Sequence, residues 1–272
     1  MSRELTVSLL NIDQAALTVS VLEPLAAYSK IDWALHVVLV DNGSRTDELA
    51  GLHNWVAANR DRFASVLFIA SSKNLGVTGG RNLAFQLSST DRLLILDNDL
   101  VLPADSTWLR ELAHTMDRDA QAGIVAPMLV FADRPDTVQS TGIGLTSKGR
   151  VGYLNRNRDV ATVAPDVVEV VAAPAACWLV RREAQQAVGL LSDAYYPMQY
   201  EDVDLCLRLR LAGWKTLCNP RVRIAHIENV TTRNLKEHPY ARTAARQWMT
   251  FTEKWSEVLP QVATIPEDDI SW

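Results

Sequence analysis

Arg92-Leu-Leu-Ile-Leu-Asp-Asn-Asp-Leu-Val-Leu102 is the stretch on which the fold turns. The apolar run from Leu93 to Leu96 is short and unbroken, as in a strand buried on both faces of a parallel sheet. It leads straight into two carboxylates, Asp97 and Asp99, separated by Asn98. Alternation sends positions i and i+2 of an extended chain to one side. Both acids then converge at the carboxyl end of the strand, where open α/β sheets bind their ligands. Two hard anions side by side repel unless a cation or hydrogen-bond donors lie between them. A divalent metal holding a diphosphate satisfies that condition, and so does a strand that ends in an Asx-rich turn.

Outward from this strand, strand-like and helix-like runs alternate through the first half of the chain. That pattern predicts a parallel sheet with helices on both faces. Residues 5–10, 36–40 and 65–70 read as strands, and 14–28 and 46–60 as helices. Residues 74–82 read as a glycine-containing loop that continues as a helix over 83–88. In the second half, 108–118 is helical, 123–131 a strand, 167–180 core, 181–190 helical, and 201–213 a helix stopped by Gly213. Residues 215–226 read as a closing strand pair, 239–255 as an amphipathic helix and 260–272 as a loose acidic tail. Between them, 137–165 shows little periodicity, which predicts a functional or mobile loop.

The 272 residues fit one large domain or two small ones and can bury a sizeable core. A content of 48% hydrophobic and 22% charged residues is ordinary for a soluble protein. The net charge of −5 argues against a general nucleic-acid binder. Met1 to Leu10 reads as a first strand and not as a leader peptide. Residues 170–180, the longest weakly charged stretch, fall short of the roughly 20 residues of a membrane span. Cys177, Cys206 and Cys218 are scattered in apolar sequence, which fits reduced thiols of a cytoplasmic protein.

Three strand ends carry polar groups that a doubly wound sheet lines up along one cleft: Asn11 with Asp13, Asp41 to Ser44, and Asp97 to Asp99. Asp41 can accept hydrogen bonds from a base or ribose. Each site taken alone is better explained as a turn or a cap; three acidic strand ends around one cleft are harder to dismiss. Asn74-Leu-Gly-Val-Thr-Gly-Gly-Arg-Asn82 adds Gly76, which lets backbone approach a ligand closely, and Arg81, which can grip a phosphate in two places. The stretch lacks the Gly-Lys-Ser/Thr of a Walker loop, so a tight loop into a helix is the other reading. Glu201, Asp202 and Asp204 crowd a helix start. They complement the helix dipole or supply a general base. Tyr195, Tyr196 and Tyr200 shape a sugar pocket or belong to the core. His226 is a structural histidine or completes a metal shell with Asp99. The final helix carries Trp248, Phe251 and Trp255 with Arg242, Arg246 and Lys254. Packing on the domain is expected of it, with a homodimer or a peripheral membrane contact as alternatives.

Taken in order, these segments resemble glycosyltransferase family 2, the inverting GT-A enzymes. The resemblance rests on Val40-Asp-Asn-Gly-Ser44, Asn74-x-Gly76 with Gly80-Arg-Asn82, Asp97-Asn-Asp99 and Cys177-Trp-Leu-Val-Arg-Arg182. Tyr200-Glu-Asp-Val-Asp-Leu-Cys-Leu-Arg208, Ala212-Gly-Trp214 and His226 complete it, and together they span residues 5 to 230. The rhamnosyltransferase-like branch is nearest, although Gly189-Leu-Leu-Ser-Asp193 stands where that branch reads Gly-Phe-Asp-Glu.

The resemblance implies an α/β GT-A fold: one Rossmann-like domain over 1–258, with a mostly parallel mixed sheet. It would divide into a nucleotide-sugar half (1–102), an acceptor half (103–235) and a C-terminal helix (236–258), followed by a tail (259–272). It implies that Asp41 reads the nucleobase, that Asp97 lies by the ribose or diphosphate, and that Asp99 and His226 hold Mg²⁺ or Mn²⁺. Asn11, Asp13, Asn74, Gly76, Arg81 and Asn98 would complete the nucleotide site. Asp202 matches the catalytic base, with Glu201 beside the acceptor. The implied donor is a nucleoside-diphosphate sugar, UDP- or dTDP-linked. The implied acceptor is a hydroxyl of a saccharide, a lipid-linked or a small molecule. Residues 137–165 become a candidate lid, and the expected location is cytoplasmic, with the inner face of a membrane as the alternative.

Three other function classes fit the motifs less well. A nucleotidyltransferase needs a basic phosphate-binding signature near the N-terminus, which residues 9–13 do not offer. A dehalogenase-type phosphatase needs a Thr soon after Asp-x-Asp, where Leu100-Val101 stand. A nucleotide-sugar-binding protein without turnover has no use for both Asp99 and the Glu201-Asp202 pair.

Overall fold

Alternation in the central strand sorts its side chains into two cores. In β4 (Arg92–Leu96), Leu94 and Leu96 join one apolar cluster with Leu5, Val7 and Leu9, while Leu93 and Ile95 join another on the opposite face. The computed structural model describes residues 4–227 and 240–267. Residues 1–3, residue 239 of the expected final helix, and residues 268–272 of the expected tail lie outside the described residues.

The strand is central because chain flanks it on both sides. β1 (Glu4–Asn11) pairs in parallel with β4 and with β2 (Ala34–Asp41), and β2 pairs in parallel with β3 (Ser65–Ala70). On the other side β11 (Cys177–Arg181) runs antiparallel to both β4 and β6 (Ala122–Phe131). β12 (Lys215–His226) follows, parallel to β6, and β10 (Val168–Val170) closes the edge antiparallel to it. Two strands lie off this path: β5 (Leu100–Val101) pairs with β12, and β7 (Arg134–Ser140) with β6. The result is the mixed, mostly parallel α/β sheet that was expected.

Helices cover both faces. α1 (Ala15–Ile31), α2 (Thr46–Asn59) and α4 (Thr107–Arg118) contribute to the first cluster. α3 (Gly76–Leu87), α5 (Arg182–Val188), α6 (Glu201–Leu211), α7 (Tyr240–Trp255) and the short α8 (Leu259–Val262) supply the second. α7 packs on the domain through Phe251 and Trp255, both buried. Gly213 takes the left-handed conformation (φ +85°) that ends α6. The three cysteines are buried and free. No helix among the described residues is long and apolar enough to cross a membrane.

Four segments differ from the sequence reading. Residues 74–82 are mostly helix: α3 begins at Gly76, and a Cβ at Gly80 would sit 2.3 Å from a Leu10 methyl. That glycine serves helix-on-sheet packing. Residues 137–165 are not irregular. They complete β7, form the hairpin of β8 (Ile143–Leu145) and β9 (Val151–Tyr153), and bury Gln139, Ser140, Thr141, Thr146 and Val160. Strands of three residues with buried polar side chains leave no period to read. Residues 215–226 are one strand, whose register shifts between Asn219 and Arg223, around Pro220. The start of the tail is tied to the β8–β9 hairpin: Thr264 N donates to Leu145 O at 2.9 Å, and Glu267 Oε1 accepts from Ser147 Oγ and Lys148 N, each at 2.8 Å.

Candidate active site

The carboxyl ends of β1 and β4 and the start of α6 open on one cleft of about 300 Å³. Its walls include Asn74, Gly76, Arg81, Asp97, Asn98, Asp99, Glu201, Asp202 and His226 from the sequence reading, joined by Asn42, Gln139, Ser140 and Tyr153.

Asn11, Asp13 and Asp41 are not brought to this wall. Asp41 is fully buried, its carboxylate held by Asn11 Nδ2 (2.8 Å), Ser44 Oγ (2.6 Å) and Ser44 N (3.0 Å). Asn11 in turn accepts from Thr18 Oγ1 at 2.7 Å. Asp13, in the left-handed region (φ 53°), accepts from Arg45 N at 2.7 Å and fastens the turn into α2. These three residues knit the β1 and β2 ends together. Internal donors hold all three side chains, and none of the three is among the residues that line the cleft. Asn42, one residue beyond Asp41, reaches the cleft instead, and its Nδ2 donates to Asn74 Oδ1 at 3.0 Å. At Gly76 (φ +71°) a Cβ would meet Pro197 O at 2.7 Å, so what presses on this glycine is the Tyr196–Pro197 turn.

Arg81 joins the two halves of the cleft. Its buried guanidinium donates through Nη2 to Asp97 Oδ1 (2.5 Å) and Ala175 O (3.0 Å), and Nη1 lies 3.8 Å from Glu201 Oε1. Asp97 keeps 35% of its side chain exposed. Even so, desolvation by the cleft walls outweighs Arg81 and holds its carboxyl above the usual range.

Asp97, Asp99 and His226 each offer one ligand atom, all within 4.8 Å of one another. β12 delivers His226, whose Nε2 faces Asp99 Oδ1 at 3.0 Å, and Ile227 N donates to Asp99 O. The sequence reading paired Asp99 with His226, and the structure adds Asp97. Two carboxylates and an imidazole are a donor set that suits Mg²⁺ or Mn²⁺. On the imidazole's other side, Gln139 Oε1 lies 2.8 Å from His226 Nδ1. Gln139 escaped the sequence reading because it sits in the stretch without periodicity.

The acidic pair opens α6. Gln199 (φ +77°) and Tyr200 (φ +68°) are both left-handed, a costly conformation for side-chain-bearing residues, and they turn the chain so that Glu201 and Asp202 face the cleft. Asp204 does not join them. A helix rotates about 200° in two residues, so Asp204 points away from Asp202 and into the core. Glu201 is buried, and its Oε2 has no partner among the described residues. Burial, reinforced by the Asp202 charge, pushes its pKa up from 4.5 to about 8. Burial also raises Asp202, but Val203 N donates to its Oδ1 at 2.8 Å and favours the anion. At neutral pH Glu201 therefore holds its proton, while the Val203 amide offsets part of the burial that raises Asp202.

Linkage makes this testable. An unfolded Glu loses its proton near pH 4.5 and the folded one near pH 8, so stability falls as pH rises across that window. Glu201→Gln is neutral throughout. The melting temperature of the variant relative to wild type is expected to rise from pH 4.5 to about 8 and then level off. A difference independent of pH would refute the buried proton.

The glycosyl transferase family 2 model matches residues 26–189. An uncharacterized protein of Sinorhizobium fredii, y4gI, is 25% identical over 223 residues, covering 80% of this chain and 24% of that protein. The O-antigen biosynthesis protein RfbC of Myxococcus xanthus is 26% identical over 204 residues, 72% of this chain and 15% of that one. The chain thus spans a quarter or less of the length of these two relatives. Among solved structures, the mannosyltransferase PcManGT of Pyrobaculum calidifontis, in complex with GDP-Man and Mn²⁺, superposes with a TM-score of 0.63 at 14% identity, covering 96% of this chain and 69% of that one. That likeness shows the GT-A fold. With the family match running over more than half of its residues, the chain belongs to glycosyl transferase family 2.

Proposed function

We propose that the protein is an inverting, metal-dependent glycosyltransferase that moves a hexosyl- or rhamnosyl-type sugar from a UDP- or dTDP-linked donor to an acceptor hydroxyl. The observation that carries this reading is the placing of the Asp97–Asp99–His226 cluster and the Glu201–Asp202 pair on the walls of one cleft, joined by Arg81. The nucleoside end of the donor lies along Ile12, Asn42 and Asn74, in the half formed by residues 1–102. Asp97, Asp99 and His226 hold Mg²⁺ or Mn²⁺, which when bound neutralises charge on the leaving diphosphate. Asp202 takes the proton from the acceptor hydroxyl as it attacks from the opposite face, inverting the anomeric centre by a single displacement. Glu201, holding its own proton, orients the acceptor, and Arg81 keeps Asp97 and Glu201 in register. The GDP-Man and Mn²⁺ complex of the structural neighbour supports a sugar-nucleotide donor with a divalent ion. The relative named for O-antigen biosynthesis supports a saccharide or lipid-linked acceptor.

Calorimetric titration with UDP, dTDP and GDP, each with and without Mn²⁺, tests the donor site. One nucleotide is expected to bind more tightly with Mn²⁺ than without it. Binding of all three that ignores Mn²⁺ would remove the metal from the mechanism.

A further inference from the structure

The amide of Gln139 faces the metal cluster from behind. Gln139 is 3% exposed, lines the cleft, and places Oε1 2.8 Å from His226 Nδ1, while the other imidazole nitrogen faces Asp99 Oδ1 at 3.0 Å. A carbonyl oxygen only accepts, so Nδ1 carries the proton in this arrangement. In neutral histidine that leaves a lone pair on Nε2, aimed at a carboxylate oxygen that also only accepts. Two acceptors at 3.0 Å repel unless a cation sits by both.

We propose that Gln139 is a positioning residue, which holds His226 in the Nδ1–H tautomer so that Nε2 is a ready ligand for the divalent cation shared with Asp97 and Asp99. The inference rests on the metal reading of that cluster. Gln139 touches no reacting atom. It acts through the ring orientation and donor strength of His226, as the outer partners of metal-bound histidines do. Without the ion, a flip of the amide puts Nε2 on Nδ1, and His226 Nε2–H then donates to Asp99. Both hydrogen bonds are satisfied in that second state. Cation binding and the orientation of Gln139 are therefore linked.

The test is Mn²⁺ affinity, read by electron paramagnetic resonance on the whole protein without donor or acceptor, for wild type, Gln139→Leu, Gln139→Glu and His226→Ala. Gln139→Leu is expected to weaken Mn²⁺ binding by about 10–100-fold. Gln139→Glu, which still accepts from Nδ1–H, should retain wild-type affinity within severalfold. Nitrogen-detected NMR of His226 should show Nδ1–H in the Mg²⁺-loaded wild type and a shift toward Nε2–H in Gln139→Leu. Wild-type affinity in Gln139→Leu, with His226→Ala impaired, would overturn the positioning role alone. Wild-type affinity in both would overturn the metal site beneath it. Circular dichroism of each variant confirms folding, and the Gln139→Glu rescue separates loss of positioning from loss of packing.

Discussion

Asp202→Asn is expected to slow transfer by about 10²–10⁴-fold, the usual contribution of a positioned base, and to leave nucleoside-diphosphate binding unchanged. The substitution keeps the size of the side chain and an oxygen for Val203 N, so the start of α6 retains its geometry. What disappears is the carboxylate that the Val203 amide favours as an anion. Glu201 cannot stand in, because burial and the neighbouring carboxylate hold its proton to about pH 8. Single-turnover transfer measured beside calorimetric donor binding separates the two effects. Unchanged turnover would reject Asp202 as base. An equal loss in Glu201→Gln would show that the two carboxyls act as one unit.

The second large effect concerns stability. Asp204 is fully buried and accepts from Arg208 Nε (2.8 Å), Lys254 Nζ (2.5 Å), Trp255 Nε1 (3.0 Å) and Tyr195 OH (3.2 Å). It thus clasps α6, α7 and the segment leading to the acidic pair around one charge. Asp204→Ala strips two cations and two buried donors of their acceptor, and breaking a buried pair by deleting one partner costs about 3–5 kcal/mol. For a domain of this size that lowers the melting temperature by roughly 10 °C. Glu253→Gln, an exposed change on the same α7, should stay within about 0.5 kcal/mol. A melting temperature for Asp204→Ala within 2 °C of wild type, by the same roughly estimated scale, would show that the clasp contributes little.

Asp204 also shows where reading by spacing stops. Glu201, Asp202 and Asp204 look like one acidic cluster on paper, yet helical rotation parts them into a pair that lines the cleft and a clasp in the core. Asp41 is the converse case: its place at a strand end is as the sequence indicates, but Asn11 and Ser44 reach across and satisfy it. The neighbouring Asn42 inherits the cleft.

The sequence by itself determined the parallel α/β core, the acids at the end of β4, and the acidic start of α6, because hydrophobic period and helix-start chemistry are local properties that a window of residues contains. The tertiary structure alone decided which of those polar groups meet. His226 lies 127 residues from Asp99 and meets it because β12 pairs with β5, which begins one residue after Asp99. Gln139 lies 87 from His226 and meets it because β7 and β12 both pair with β6. Strand order is a global choice, settled by burial of the sheet's two faces together, and no local spacing records it.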